Sequence, residues 1–140
     1  MNQAPARQDD DLMVRVCYAD TDAGGVVYHA SYLRYFDQAR AEWLAHRGLS
    51  QAQARQQLGL VLAVQAVQLR YHRPAGLDAR LRLCTRAEPL RPSTLRFHQQ
   101  AWRDDELLVE GELDLVCVDV ALWKSTAWPS TILDRLDPQR

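Results

Sequence analysis

Apolar and polar residues alternate along this chain in two different periods, and the change from one to the other divides it. From Met13 onward, Val14, Val16 and Tyr18 fall on one side of an extended chain and Arg15 and Cys17 on the other. That is the period-two signature of a strand. The run from Asp20 to Gly25 breaks it, because the paired Gly24 and Gly25 admit backbone conformations closed to other residues. From about Tyr28 to Arg47 the period becomes helical. Tyr32, Phe36, Ala39 and Trp43 share one stripe with Leu33, Tyr35 and Leu44 beside it, which predicts a helix buried over much of its circumference. Gly48 supplies the stop, and Ser50 with Gln53 fits a capping box opening a short helix that ends near Leu58 and Gly59.

The second half is strand-rich. Val61 to His72 starts as a continuous apolar run and resolves into alternation, closed by a turn at Pro74, Gly76 and Asp78. Arg80 to Glu88 alternates arginine with leucine, Pro89 to Ser93 interrupts, and Thr94 to Arg103 resumes with Leu95 and Phe97 facing one way. Asp104 and Asp105 mark a hairpin. Leu107 to about Asp119 is the last long strand, with Val109, Leu113, Leu115 and Cys117 on its inner face; 123–129 is irregular and 132–136 a final helical turn. A long helix followed by consecutive strands predicts an α+β fold in which an antiparallel sheet of about five strands wraps the helix. Residues 1–12, with Pro5 and the run Asp9, Asp10, Asp11, are expected to form a disordered leader, and 13–140 a single domain.

Composition narrows the classes. At 140 residues, 47% hydrophobic and 25% charged, with net charge −1, the chain is a globular domain without a broad nucleic-acid footprint. Nearly all basic residues are arginine, which suits bidentate anion recognition. Cys17, Cys84 and Cys117 are odd in number and far apart, so neither a disulfide framework nor a zinc site is expected. No signal-peptide pattern and no apolar run of the roughly 18 residues that span a bilayer is present. The expected setting is cytoplasmic, without membrane insertion.

The chemistry-bearing residues gather in one stretch, Tyr18 to Tyr32: Asp20, Thr21, Asp22, Tyr28, His29, Ser31 and Tyr32. A helix starting near Tyr28 or His29 points unpaired amides and roughly half a positive charge back toward the loop holding Asp22. A thioester carbonyl placed there would be polarised as its oxygen gains charge, with a carboxylate at hand to attack it or to deprotonate water. By spacing alone the aspartates fit their usual work as turn and helix caps better than catalysis, His29 fits a surface or satisfied core histidine better than a catalytic one, and Tyr28 and Tyr32 fit core aromatics. His72 and His98 fall on outward strand faces and form no metal set. No phosphate loop and no Ser or Cys nucleophile motif appears.

The run Tyr18-Ala19-Asp20-Thr21-Asp22-Ala23-Gly24-Gly25-Val26-Val27-Tyr28-His29-Ala30-Ser31-Tyr32 closely resembles the signature of the hotdog-fold acyl-CoA thioesterases. It is most similar to the branch associated with the Tol-Pal envelope system, the YbgC type, a relative of 4-hydroxybenzoyl-CoA thioesterase. The resemblance continues through Ala39 to Leu44, Tyr71 to Ala75 and Cys117 to Asp119, and covers nearly the whole chain after residue 12. It implies a thioesterase that releases free acid and coenzyme A, with no cofactor beyond the coenzyme A of its substrate and no metal. The family's catalytic carboxylate falls on Asp22 rather than Asp20, its histidine on His29, and an acyl-pocket aromatic on Tyr28. Tyr18 and Ser31 flank the same substrate site.

The resemblance also implies a basic rim for the coenzyme A phosphates: Arg91 and Ser93 fall in a loop where relatives often contact the nucleotide, and Lys124 in a second such region. Thr126 stands where relatives often have a second basic residue, and Val120 where proline is frequent. Family members form homodimers, often joined into homotetramers, with active sites between subunits. Acyl carrier protein is a partner the family allows; no nucleic acid is expected. Two rival readings remain at this point: a hotdog hydratase or dehydratase acting on enoyl thioesters, and a non-catalytic module that binds acyl-CoA or acyl carrier protein. Enoyl-CoA hydration separates the first rival, and a DNA-binding segment would mark a regulator of the second kind.

Overall fold

The structure, a computed structural model, describes residues 3–136. Strand β1 (Leu12–Arg15) leads into helix α1 (Ser31–Ala45), a short helix α2 (Gln51–Gln53), and then β2 (Leu60–Tyr71), β3 (Arg80–Arg91), β4 (Thr94–Arg103), β5 (Glu106–Asp119), β6 (Lys124–Ser125) and α3 (Ser130–Leu133). The sheet is antiparallel in the order β1-β3-β4-β5-β2, and β6 adds to β5. Five principal strands and one long helix are the α+β arrangement that the hydrophobic pattern predicts.

The helix stripe is the core. Tyr32, Tyr35, Phe36, Ala39, Trp43 and Leu44 are buried against Leu81, Leu83, Leu95, Phe97, Leu113 and Leu115 of the sheet. Trp43 meets Phe97 edge-on at 5.1 Å between ring centroids, and Phe97 meets the buried Trp128 at 6.1 Å. One polar layer crosses this interface. Gln99, fully buried on β4, donates to the Phe36 carbonyl oxygen at 2.9 Å and to Thr85 Oγ1 at 3.0 Å, and accepts from Arg40 at 3.0 Å. Burial holds the Arg40 guanidinium below its usual pKa, partly offset by Asp37. Each buried donor and acceptor so paired avoids the cost of desolvation without a partner.

The predicted punctuation is present. Ser50 and Gln53 exchange both capping-box bonds, at 3.0 and 3.1 Å. Gly48 and Gly59 stop their helices at positive φ, +85° and +66°. Four readings differ. The segment expected to be a disordered leader over 1–12 makes defined contacts among its described residues: Arg82 donates to the Pro5 carbonyl and to Asp11, and buried Asp10 accepts from Arg47 at 2.8 Å. Its polar residues find their partners in arginines distant along the chain. Tyr18 leaves the strand for a 3₁₀ turn, Tyr18–Asp20, with its side chain in solvent. Pro89 lies within β3 at a bulge rather than breaking it. Lys124–Ser125, expected to be irregular, pairs with the end of β5 where β4 has stopped.

Among the described residues strand β2 pairs only with β5, which leaves its other edge open along twelve residues. Val64 and Val67 on it are exposed. No helix among the described residues is long and apolar enough to cross a membrane.

Candidate functional site

The loop between β1 and α1 is built on Asp20. Although a carboxylate, it is only 4% exposed, and its oxygens accept from the Cys17 amide at 3.0 Å, the Tyr35 hydroxyl at 2.8 Å and Arg34. Its backbone carbonyl accepts from the Tyr28 amide at 2.8 Å and Ser31 Oγ at 3.1 Å. Both carboxylate oxygens and the backbone oxygen of Asp20 are thus engaged in fixing the loop. Ser31, expected at the substrate, spends its hydroxyl on this scaffold.

Asp22 sits two residues on, at the head of a tight turn. Its amide donates to the Val26 carbonyl at 2.9 Å, and its own carbonyl accepts from Gly25 at 3.0 Å. Gly25 holds φ +79°, and a Cβ on Gly24 would lie 3.2 Å from Asp22 Oδ1. That closeness lets the Gly24 amide donate to Oδ1 at 2.8 Å. The glycine pair therefore folds the turn and orients the carboxylate. Asp22 is exposed, and its Oδ2 has no hydrogen-bond partner among the described residues.

The turn is fastened to the segment that follows β2. Val27 donates to the Ala75 carbonyl at 2.9 Å, Val26 bridges Gly76, and Thr21 bridges Val27. The chain then enters α1. Ser31 N–H donates to the Tyr28 carbonyl at 2.8 Å, and the Tyr71 hydroxyl donates to the His29 carbonyl at 2.8 Å. The amides of His29 and Ala30 meet no acceptor among the described residues. Two free N–H groups at the head of a fifteen-residue helix make a concentrated positive end beside the Asp22 turn.

The expected residues fall into two groups. Asp22, Tyr28 and His29 share this loop; the rings of Tyr28 and His29 lie 4.3 Å apart, and His29 meets Tyr71 edge-on at 6.4 Å. His29 is exposed and makes no hydrogen bond to Asp22. Tyr18 is 81% exposed on the turn before Asp20. Arg91, Ser93 and Lys124 lie at the other end of the sheet. The Ser93 carbonyl accepts from Cys117 at 2.9 Å, and Lys124 pairs in register with Asp119, which is itself opposite Leu60 at the start of β2. The loop, by contrast, is tied to Tyr71 at the end of β2. Twelve residues of strand separate the two ends, roughly 36 Å.

At that far end a cavity of about 380 Å³ opens between α2 and β2, lined by Ala54, Arg55, Leu60, Val61 and Leu62 among others. Cys117 offers no competing nucleophile, since burial, with a smaller effect of Asp119, pushes its thiol up to about 11. No cluster of three or more potential metal ligands occurs among the described residues. His72 and His98 face outward beside Glu110 and Glu88, at 3.0 and 3.4 Å. Sequence reasoning missed the parts played by Tyr35, Arg34 and Tyr71. The helical pattern shows Tyr35 only as a widening of the apolar surface, and nothing in Tyr71's alternating strand shows that its hydroxyl reaches a loop forty-two residues earlier.

Residues 16–136 match the family model described as the thioesterase-like superfamily. An acyl-CoA thioester hydrolase YbgC of Escherichia coli is 41% identical over 121 residues, covering 86% of this chain and 90% of that protein. An acyl-CoA thioesterase YbgC of Haemophilus influenzae is 35% identical over 119 residues, covering 85% and 88%. Among solved structures, a probable thioesterase from Bartonella henselae superposes with a TM-score of 0.81 at 29% identity, covering 85% of this chain and 98% of that one. The wrapped sheet is the hotdog fold of these proteins.

Proposed function

The chain belongs to the thioesterase-like superfamily and is a thioester hydrolase, and from that membership we propose that it cleaves acyl-CoA to the free acid and coenzyme A through Asp22. The observation that carries this reading is the division of labour between the two aspartates. Asp20 is buried and wholly engaged, whereas Asp22 is exposed with one oxygen free, beside two unpaired amides at a helix head.

A thioester carbonyl oxygen directed at the His29 and Ala30 amides gains its negative charge against fixed donors, which need no reorganisation as the reaction proceeds. The Asp22 carboxylate then has two routes. It attacks the carbonyl carbon, the C–S bond breaks, the thiolate leaves and takes a proton, and water hydrolyses the acyl anhydride. Alternatively, it takes a proton from water as that water attacks, and the proton passes to the departing thiolate. Label found in Asp22 after a single turnover in ¹⁸O-labelled water identifies the first route with water attacking the Asp22 carbon of the anhydride; water attacking the acyl carbon labels only the released acid, as the second route does. His29, its ring tilted against that of Tyr28, orients water or the leaving group.

Separation of the loop from Arg91, Ser93 and Lys124 supports a site made by two copies. Two β2 strands paired antiparallel along their open edges bring the end of one, with its Asp22 loop, beside the start of the other. There the second copy's basic residues meet the coenzyme A phosphates. The cavity at the start of β2 takes the acyl chain. Acyl-carrier-protein thioesters are a second substrate class for this arrangement.

The test is Asp22→Asn, assayed on short, long and aromatic acyl-CoAs and on one acyl-carrier-protein thioester. Turnover is expected to fall by at least about a thousandfold while the unfolding midpoint stays that of the native protein. Hydrolysis near the native rate by this variant sinks the assignment.

A further inference from the structure

The free amides at the head of α1 owe their orientation to their own carbonyls. His29 lies between two peptide planes. In the first, the Tyr28 carbonyl accepts from Ser31 N–H at 2.8 Å, which leaves the His29 N–H pointing the opposite way. In the second, the His29 carbonyl accepts from the Tyr71 hydroxyl at 2.8 Å, which leaves the Ala30 N–H pointing the opposite way. The first bond is made by the backbone of the helix itself. The second has a single donor among the described residues, the phenol of Tyr71.

Tyr71 is well held for this purpose. It is the last residue of β2, and the next two amides, of His72 and Arg73, both donate to the Leu108 carbonyl at 2.7 and 3.1 Å. Its ring packs edge-on against the buried Tyr32 at 5.9 Å and against His29 at 6.4 Å. The rest of the loop is tied to the same exit of β2 by backbone bonds at Ala75 and Gly76. Among the described residues His29 is the one point of the loop tied there by a side-chain hydrogen bond.

We propose that Tyr71 is a positioning residue for the thioesterase reaction: by holding the His29 carbonyl it fixes the two peptide planes whose N–H groups receive the oxyanion. The inference rests on the hydrolase reading above. Tyr71 touches no reacting atom. Without its hydroxyl the His29–Ala30 peptide is free to rotate, and the donors lose aim where charge develops. Loss of an entire oxyanion donor costs about 10²–10³ in rate, so loss of aim alone is expected to cost less, about tenfold.

The experiment compares Tyr71→Phe with the native protein on one good acyl-CoA substrate, together with a thioether analogue that lacks the carbonyl. The expected result is kcat down about tenfold, KM within about twofold, equal affinity for the thioether, and a native circular dichroism spectrum. A kcat within about twofold of native overturns the proposal. So does a matching loss of thioether affinity, which would make Tyr71 a substrate contact, or a failure to fold, which would make its bond structural. Absence of thioester hydrolysis by the native protein would instead overturn the underlying functional reading, and Tyr71→Phe plays no part in that result.

Discussion

The hydroxyl of Tyr35 donates to the carboxylate of Asp20 at 2.8 Å, across fifteen residues, and so locks the second turn of α1 to the loop before it. Two residues further on, Asp22 has a carboxylate oxygen free. Substitutions at the two aspartates should therefore separate. Tyr35→Phe is expected to cost about 1–2 kcal/mol and Asp20→Ala about 3 kcal/mol of unfolding free energy, because a buried charged hydrogen-bond network is broken. Urea unfolding measures both. Asp22→Asn is expected to leave that midpoint in place and remove turnover, so equal destabilisation by the two would contradict the assigned roles.

Tyr32 carries a buried hydroxyl with no partner among the described residues, on a side chain that is 2% exposed. Burial, against an opposing effect of Arg103 and with a further rise from Tyr71, pushes its phenol from 10.0 up to about 12. Between those values the unfolded chain has released a proton that the folded one retains. Stability is thus whole below about pH 10 and is lost as pH rises toward 12. Tyr32→Phe should remove that part of the alkaline loss and leave stability at pH 7 unchanged or about 1 kcal/mol higher. Cys117 adds a separate loss that begins near pH 9 and should persist in the variant. Chemical denaturation at pH 7 and across the alkaline range shows both.

The open edge of β2 carries Val64 and Val67, both exposed. Lysine at both positions places like charges on each side of a two-fold strand pair and should prevent edge pairing. Sedimentation velocity is expected to show a monomer, and hydrolysis to fall more than tenfold, with the circular dichroism spectrum retained. A monomer with native activity would show that one copy suffices.

Gly111 lies on the inner face of β5, where an added Cβ would come within 2.5 Å of Leu69 Cδ2 and 3.3 Å of Leu113 Cδ1. Gly111→Ala should displace Leu69 and cost about 1–3 kcal/mol by overpacking. Thermal unfolding, followed by a repeat in Gly111→Ala with Leu69→Ala, should show partial recovery in the double variant.

The sequence by itself determined the main elements and singled out the stretch that carries the candidate site. Helical spacing from Tyr32 to Trp43 and alternation along the four long strands are local consequences of burying one face, so they are legible before any contact is known. The capping box at Ser50 and Gln53 and the glycine stops are local for the same reason. The fifteen-residue run places the candidate carboxylate on Asp22 only through its family resemblance; spacing alone favours a cap. What only the tertiary structure decided is non-local. Whether Asp20 is buried depends on Arg34 and Tyr35 turning back onto it, and whether Asp10 is ordered depends on Arg47. That Arg91, Ser93 and Lys124 lie a strand's length from Asp22 depends on the pairing of β2 with β5, which no residue pattern states. The Tyr71 bond to His29 belongs here too. A side chain's hydrogen-bond partner is set by where the backbone carries it, and the order of residues along the chain does not contain that distance.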